Sequence, residues 1–479
     1  MQLSAVEQKY FDYLDKIAIS TLRAIGREVG VSSASTQNKD LIIRNITDIC
    51  TGKLKPAKPS GRGAPVKDKI VPSEYLDGLK KIQAETAREE SLSVAQEDLA
   101  AEQAVPASPR YSGILEVTAN GFGFVRTNNC QPTVNGGDVF LSAPMIHSYR
   151  LRAGDHIVCT AHPQQKNNSP AIDKLLSVNG LPVGKYESRP TFDYLTAQYA
   201  KEKIALSREK SPLSLRILDL FAPIGKGQRA LIIAPPKAGK TTLLKEIASS
   251  IGENHKEIKL IVLLIDERPE EVTDIRMSVK NAEIVYSTFD ELPEHHVRSA
   301  ALTIAHAKRM AEQGDDVVIL LDSLTKLTRA YNNVTDSSGK TLSGGLEASA
   351  LAEPKRFFGA ARNTVEAGSL TILATALVDT GSRMDDVIYE EFKGTGNADI
   401  FLSRDLAERR IFPAIEIRRS GTRREELLLS PEELAAVYKM RERGLTENPA
   451  GVIDMLRRTQ DNAEFVARLP EWMRVYKSM

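Results

Sequence analysis

Ala234-Pro235-Pro236-Lys237-Ala238-Gly239-Lys240-Thr241 follows the apolar run Ala230-Leu231-Ile232-Ile233 and precedes Leu243-Leu244-Lys245-Glu246-Ile247-Ala248, whose spacing predicts a helix. A tight turn between a buried strand and a helix aims backbone N–H groups and the helix N-terminus at one spot, which suits the β-phosphate of a nucleotide. In such a cradle Lys240 reaches the β/γ oxygens and the Thr241 hydroxyl ligates Mg²⁺, so ATP and Mg²⁺ are the expected cofactors. The stretch departs from Gly-x-x-x-x-Gly-Lys-Ser/Thr at its first position, where Ala234 replaces glycine. Taken alone it leaves open a plain strand-to-helix turn.

Around the cradle, from about Leu215 to Ile417, strands alternate with helices. Residues 230–234, 259–265, 283–286, 316–321, 369–376 and 398–402 read as strands, which predicts an α/β domain around a mostly parallel sheet. Such sheets bind ligands at the carboxyl ends of their strands. Val317-Val318-Ile319-Leu320-Leu321-Asp322 is an apolar strand ending in a carboxylate, the form expected of a residue holding the Mg²⁺ shell. Leu260 to Ile265 runs into Asp266-Glu267-Arg268. There Glu267 is placed to polarise the attacking water and Arg268 to sense the γ-phosphate, with a surface ion-pair cluster as the structural alternative. The basic turn Arg418-Arg419-Ser420-Gly421-Thr422-Arg423-Arg424 reads either as an arginine finger supplied across a subunit boundary or as a solvated surface turn. Two glycine-bearing loops, Ser337 to Gly345 with Lys340 and Asp379 to Met384 with Arg383, suit either a grip on a polynucleotide backbone or simple connection.

Outside this domain the pattern changes three times. Residues 111–185 read as short strands separated by turns, a small β-barrel in which Asn120-Gly121 predicts a hairpin with φ > 0 at both positions. The following Gly121-Phe122-Gly123-Phe124-Val125-Arg126 puts Phe122 and Phe124 on one face. With Arg126 two residues on, this reads as a stacking platform for single-stranded RNA with a phosphate partner, the alternative being that both rings fill the barrel core. Residues 1–50 predict a helical module in which Ser20 caps a turn carrying Leu22, Ile25 and Val29, ended by Gly30, and Ile42, Ile46 and Ile49 form a second stripe. Residues 51–110, basic from Lys53 to Lys69 and acidic from Glu85 to Asp98, predict a charged linker with one exposed helix near 74–103. The remainder, 186–479, comprises the nucleotide domain and a helical tail.

Length and composition agree with several packed domains: 479 residues, 42% hydrophobic. With 64 basic and 63 acidic residues, total charge carries no information about nucleic acid, so any such binding must be local. No apolar run approaches a membrane span and no signal pattern opens the chain, so a cytoplasmic location is expected. Cys50, Cys130 and Cys159 are single and far apart, as expected of reduced thiols. His295-His296 reads as a surface or supporting pair at a helix start.

These residues resemble the family of bacterial transcription termination factor Rho, whose members are ring-shaped hexameric RNA-dependent ATPases and RNA/DNA helicases. The resemblance covers most of the chain. It rests on Gly121-Phe122-Gly123-Phe124, on Pro235 to Thr241, on Asp266-Glu267-Arg268-Pro269-Glu270-Glu271-Val272, on Glu390-Glu391-Phe392-Lys393-Gly394-Thr395-Gly396-Asn397, and on Arg410-Ile411-Phe412-Pro413-Ala414-Ile415 with Ser420-Gly421-Thr422-Arg423. It implies an OB/cold-shock-like barrel followed by a RecA-like P-loop ATPase domain with C-terminal helices. By the same resemblance Pro236, Lys237, Ala238, Gly239, Lys240, Thr241 and Thr242 contact the nucleotide, Thr241 and Asp322 serve Mg²⁺, and Phe412 packs on the adenine. Glu267 is implied as catalytic base and Arg268 as sensor, while Arg410 and Arg423 come from a neighbouring subunit. Phe122, Phe124, Arg126, Asp138 and Phe140 match a primary RNA site, and Lys340 and Arg383 a secondary one in the pore. Implied partners are single-stranded RNA, further copies in a homohexamer, and RNA polymerase in the elongation complex with its elongation factors. The chain departs from the family at Pro170-Ala171-Ile172, where an acid-arginine-tyrosine segment is usual, so weaker primary-site affinity or pyrimidine preference is expected. Two other readings compete: a RecA-like ring ATPase acting on a protein, and an RNA-binding regulator with weak ATPase.

Overall fold

The computed structural model describes residues 5–51, 53–56, 75, 78, 79, 82, 109–127, 137–162, 169–183, 189–336 and 341–475. Lys340, Cys130 and most of the 51–110 segment lie outside them. The chain divides into two units, Met1–Ala107 and Ser108–Met479.

In the first unit, helices Ala5–Asp15, Ile19–Val29 and Lys39–Cys50 close over Tyr10, Leu14, Leu22, Ile25, Ile42 and Ile46. Gly30 ends the second helix in the left-handed region at φ 94, as its position in the sequence predicts. Ser20 is not the cap: that place is taken by Ala18, which offers no side-chain acceptor. Leu79, inside the segment read as linker and exposed helix, is buried in this core at 5% exposure. Its apolar side chain gains more from Tyr10 and Leu14 than from water, and the surrounding charge hid that in the sequence.

The second unit begins with the barrel. Strands β1 (Arg110–Val117), β2 (Gly123–Arg126), β3 (Val139–Leu141), β4 (His156–His162), β5 (Ala171–Val178) and β6 (Leu181–Pro182) run in the order β3-β2-β1-β4-β5-β6, and a β3–β5 pairing closes the sheet. Leu115, Val125, Val139, Leu141, Ile157 and Cys159 fill the inside. The β1–β2 hairpin carries positive φ at Gly121 (83) and not at Asn120. Thr118 accepts from the Gly121 N–H and donates to Phe122 O. This is a three-residue turn ending in a left-handed glycine, and the two-residue turn expected from Asn-Gly is replaced by it.

After a short β7 (Ala197–Gln198), the nucleotide domain carries β8 (Arg229–Ala234), β9 (Lys259–Glu267), β10 (Ala282–Thr288) and β11 (Val317–Asp322). A hairpin, β12 (Thr341–Leu342) and β13 (Leu346–Glu347), and β14 (Asn363–Thr364), which pairs β7, precede β15 (Leu370–Leu377), β16 (Ala398–Phe401) and β17 (Gly421–Thr422). The main sheet runs β10-β9-β11-β15-β8-β16-β17, parallel except for β17. Its strands are near-continuous Val, Ile and Leu because helices cover both faces. Helices Pro431–Glu442, Pro449–Arg457 and Asn462–Val475 pack on one side, tied down by the buried Arg216, whose guanidinium donates to Leu456 O, Thr459 O and Asp461 O.

The barrel leans on helix Pro293–Glu312. Buried Glu312 accepts from the Phe192 N–H at 2.8 Å and pairs with Arg309 and Arg152, while Asp155 pairs with Arg189 at 2.6 Å. At Gly154 (φ 88) a Cβ would stand 2.3 Å from the Ala305 carbonyl carbon. Gly154→Ala is therefore expected to push barrel and helix apart, costing about 1–3 kcal/mol and lowering the melting temperature. Gly180→Ala, at φ 77 with nothing within 4 Å, separates backbone strain from the clash and should cost less in the same thermal unfolding measurement.

Candidate active site and nucleic-acid interface

Strand order brings the chemistry together. β8, β15, β11 and β9 are successive neighbours, so the cradle after Ala234, Thr375 of β15, Asp322 of β11 and Glu267 of β9 meet at one carboxyl edge. The cradle turns through Lys237 (φ 64) and Gly239 (φ 90), both in the left-handed region. Gly239 is the N-cap of helix Lys240–Asn254 and supplies no side-chain cap, which leaves the first helical N–H groups directed at the cleft. A cavity of about 1080 Å³ opens there, lined among others by Pro236, Lys237, Gly239, Thr241, Thr242 and Arg268. Ala238 is buried beneath it at 2% exposure.

Lys240 Nζ lies 2.5 Å from Asp322 Oδ1 and 3.5 Å from Glu267 Oε1. Asp322, 2% exposed, also accepts from the Thr375 hydroxyl at 2.8 Å, and its peptide bond to Ser323 is cis. Burial works against the Lys240 ammonium, but Asp322 and Glu267 outweigh it and hold its pKa above the ordinary lysine value. Burial and then Asp322 push the Glu267 carboxyl above the usual range, the direction that suits a proton acceptor working near neutrality. Two buried carboxylates bridged by one ammonium form a seat for positive charge. No cluster of three or more metal-ligating side chains occurs among the described residues, so a divalent ion fits here only with phosphate oxygens completing the shell around Thr241 and Asp322.

Two residues at this edge were not singled out from sequence. Lys326 pairs with Glu267 Oε1 at 2.8 Å and donates to Asp266 O at 2.6 Å. It stands in the first turn of helix Leu324–Val334, and its place just past the carboxyl end of β11 is the signal that was available. Thr375 is a hydroxyl inside an otherwise apolar strand, equally visible in Leu370 to Leu377. His296, read as a supporting pair with His295, is buried and shares a 2.7 Å hydrogen bond with Ser287, and burial lowers its pKa.

Phe412, 44% exposed, follows β16 and borders a side cavity beside Gly239 and Thr242. Arg410 is exposed nearby at φ 58. Arg423 is elsewhere. Its N–H donates to Asn397 O, and the Asn397 N–H donates to Arg229 O at the start of β8. The cradle lies past the other end of that six-residue strand, roughly 17 Å away at a strand's rise per residue. Arg423 cannot serve its own chain's cradle.

On the barrel, Phe122, Phe124 and Phe140 form a triangle with ring centroids 5.8–5.9 Å apart. All three are part-exposed, while Gly123 and Val125, which alternate with Phe122 and Phe124 along the strand, are buried. Arg126 does not project as a free phosphate partner. It pairs with Glu116 at 2.5 Å and buried Asp138 at 2.8 Å, and its guanidinium carbon sits 4.8 Å from the Phe124 ring centroid. Its charge is matched by two carboxylates, and it stiffens the platform from below. Ala171 pairs with Phe140 in register, so a methyl group stands where the family's bulkier segment is expected. Arg383, exposed at the start of helix Arg383–Lys393, adjoins the β12–β13 hairpin: a Cβ on Gly344 would lie 2.7 Å from the Met384 nitrogen. Thus the two cationic loops converge, although Lys340 itself lies outside the described residues.

Residues 111–184 match the Rho termination factor RNA-binding domain, and residues 214–422 match the nucleotide-binding domain of the ATP synthase alpha/beta family. A relative from Aquifex aeolicus (strain VF5), named transcription termination factor Rho, is 52% identical over 74% of this chain and 83% of its own length. The chain belongs to the Rho family. Relatives of the same name from Bacillus subtilis (strain 168) and Thermotoga maritima are 52% and 51% identical, over 75% and 74% of this chain and 85% and 84% of theirs. This Rho-family chain therefore combines an OB-like barrel of the RNA-binding type with a RecA-like nucleotide-binding ATPase domain. Among its described residues no helix is long and apolar enough to cross a membrane.

Proposed function

We propose that the protein is a transcription termination factor: an ATP-driven RNA translocase and helicase that loads on single-stranded nascent RNA, threads it through a homohexameric ring and releases it from the polymerase. The observation that carries this reading is the pairing, within one structural unit, of an outward aromatic triangle and a phosphate cradle with a buried acid beside it. An ATPase that moved only protein has no use for Phe122, Phe124 and Phe140 outside the barrel core.

In the proposed cycle the cradle N–H groups, Lys237 and Lys240 hold the phosphates, and Thr241 and Asp322 would hold Mg²⁺, which would supply charge neutralisation to the phosphoryl transfer. Lys240 exchanges Asp322 for phosphate, and Glu267, still paired with Lys326, orients water. Arg268 lies at the rim of the same cavity and suits a γ-phosphate sensor. Arg383 and the loop bearing Lys340 act on RNA in the pore, and Phe122, Phe124 and Phe140 stack bases on the barrel with Arg126 and Asp138 fixing the platform.

RNA-stimulated ATPase measured against homopolymers tests this. Phe122→Ala with Phe124→Ala is expected to raise the RNA concentration for half-stimulation about 10- to 100-fold, with ATP affinity nearly unchanged. Because these rings lie outside the core, the variant should keep its melting temperature. Basal turnover indifferent to every polynucleotide would favour a protein-translocating ATPase instead.

A further inference from the structure

A strand of RNA stacked on aromatic rings also needs its phosphates neutralised, and the charge nearest the barrel's aromatic triangle is already engaged. Arg126 is 10% exposed and divided between Glu116 and Asp138. Strand register leads to another cation. Phe140 on β3 and Glu116 on β1 both lie opposite Phe124 of β2, so the three form one row across the outer face of the sheet. Glu116 in turn meets the nucleotide domain: its Oε1 lies 3.2 Å from Nε of Arg298, on helix Pro293–Glu312. The Arg298 side chain is 35% exposed, and among the described residues no second acid lies within 4 Å of its guanidinium. It lines a groove of about 300 Å³ between barrel and helix, whose walls include Val117, Val297 and Ala301. The exposed Glu294 lines that groove too, where water screens it. Two arginines and two carboxylates balance along the row, so Glu116 and Asp138 present no net negative charge to RNA.

We propose that Arg298 is a phosphate contact for single-stranded RNA stacked on the barrel, a binding residue that the nucleotide domain contributes to the barrel's site. The inference rests on the reading of Phe122, Phe124 and Phe140 as an RNA platform and adds the cation that Arg126 does not provide. A guanidinium held at Nε keeps both terminal amino groups, a planar fork that matches two phosphate oxygens. Glu116 fixes that fork at the edge of the row. Arg298 stands about two strand spacings from Phe124, roughly 10 Å. Barrels of this type track about four nucleotides or more, so a cation at that distance falls within the bound strand. RNA held by the rings and by Arg298 together ties the barrel to helix Pro293–Glu312.

The probe is an oligocytidylate of about ten residues, titrated against the full-length protein by fluorescence anisotropy over a range of salt concentrations. Arg298→Ala is expected to weaken binding about 3- to 10-fold and to lower the slope of log affinity against log salt by about 0.7, the counterion release of one phosphate on a single strand. An oligouridylate should weaken by the same factor, since a phosphate contact carries no base information. Arg298→Lys keeps the charge and should keep the slope, whereas Phe124→Ala should weaken binding with the slope unchanged. In a Glu116→Gln background Arg298→Ala should lower the slope by the same amount, because the contact is made with RNA and not through Glu116. An unchanged slope for Arg298→Ala in either background overturns the phosphate contact and leaves Arg298 as a tie between domains. Phe124→Ala binding as tightly as wild type overturns the platform instead, while the slope still reports on Arg298. Wild type that binds neither oligonucleotide overturns both.

Discussion

Glu267→Gln is expected to lower RNA-stimulated ATP turnover by about 100- to 10,000-fold, with nucleotide binding retained. The amide keeps the volume and one hydrogen-bonding oxygen but cannot take a proton from water. Retention of binding follows from the site's division of labour: the cradle N–H groups and Lys240 face the phosphates, while Glu267 lies on β9, beyond β11 and Asp322. The change also removes one carboxylate from Lys326, whose remaining partner there is the Asp266 carbonyl, so some weakening of loop order around Asp266 accompanies it. Steady-state turnover and an equilibrium titration with a fluorescent nucleotide separate the two effects. A variant that still turns over at the wild-type rate removes Glu267 from the mechanism.

The second large effect concerns Arg423. Arg423→Ala should cost about 1,000-fold or more in turnover, the scale of an arginine finger. The decisive measurement mixes two inactive proteins, Arg423→Ala and Lys240→Ala. Since Arg423 is hydrogen-bonded at the amino end of the sheet and the cradle opens at the carboxyl end, a finger role is possible only between chains. A mixed ring then contains junctions where an intact cradle meets an intact Arg423, and part of the activity returns. Acting within one chain, the same two lesions would leave no complete site in the mixture and no recovery. Exposure of Arg423, with Asp399 as the nearby acid that it influences, leaves the guanidinium free to turn toward another subunit.

Legibility in the sequence followed the range of the interactions involved. The six parallel strands of the main sheet are legible, its central ones because a strand buried on both faces must be apolar along its whole length, as Val317 to Leu321 and Leu260 to Ile265 are, whereas the two-residue β17 lies in the stretch that reads as a basic turn. The outward pair Phe122 and Phe124 was visible because side chains alternate along a strand and glycine marks the intervening positions. Lys326 and Thr375 were passed over because their importance lies in which strands become neighbours, and β9-β11-β15 is not the order of the chain. Arg126 reads from sequence as a phosphate partner because its two carboxylates, Glu116 on β1 and Asp138 just before β3, lie ten and twelve residues away. Leu79 is hard to find in a charged segment because the stripe it shares with Tyr75 and Ile82 spans only about two helical turns.

The sequence by itself determined what depends on neighbours along the chain: the cradle turn before its helix, the acids at strand ends, the alternation that exposes the barrel aromatics, and the family they mark. Tertiary structure alone decided which charges meet. Burial of Glu267 beside Asp322 raises its proton affinity, Lys240 and Lys326 compensate that crowding, and the length of β8 keeps Arg423 from its own cradle. Coulomb interactions and desolvation act through space at a few ångströms, and the pairing order that sets those distances is fixed only when the sheet forms.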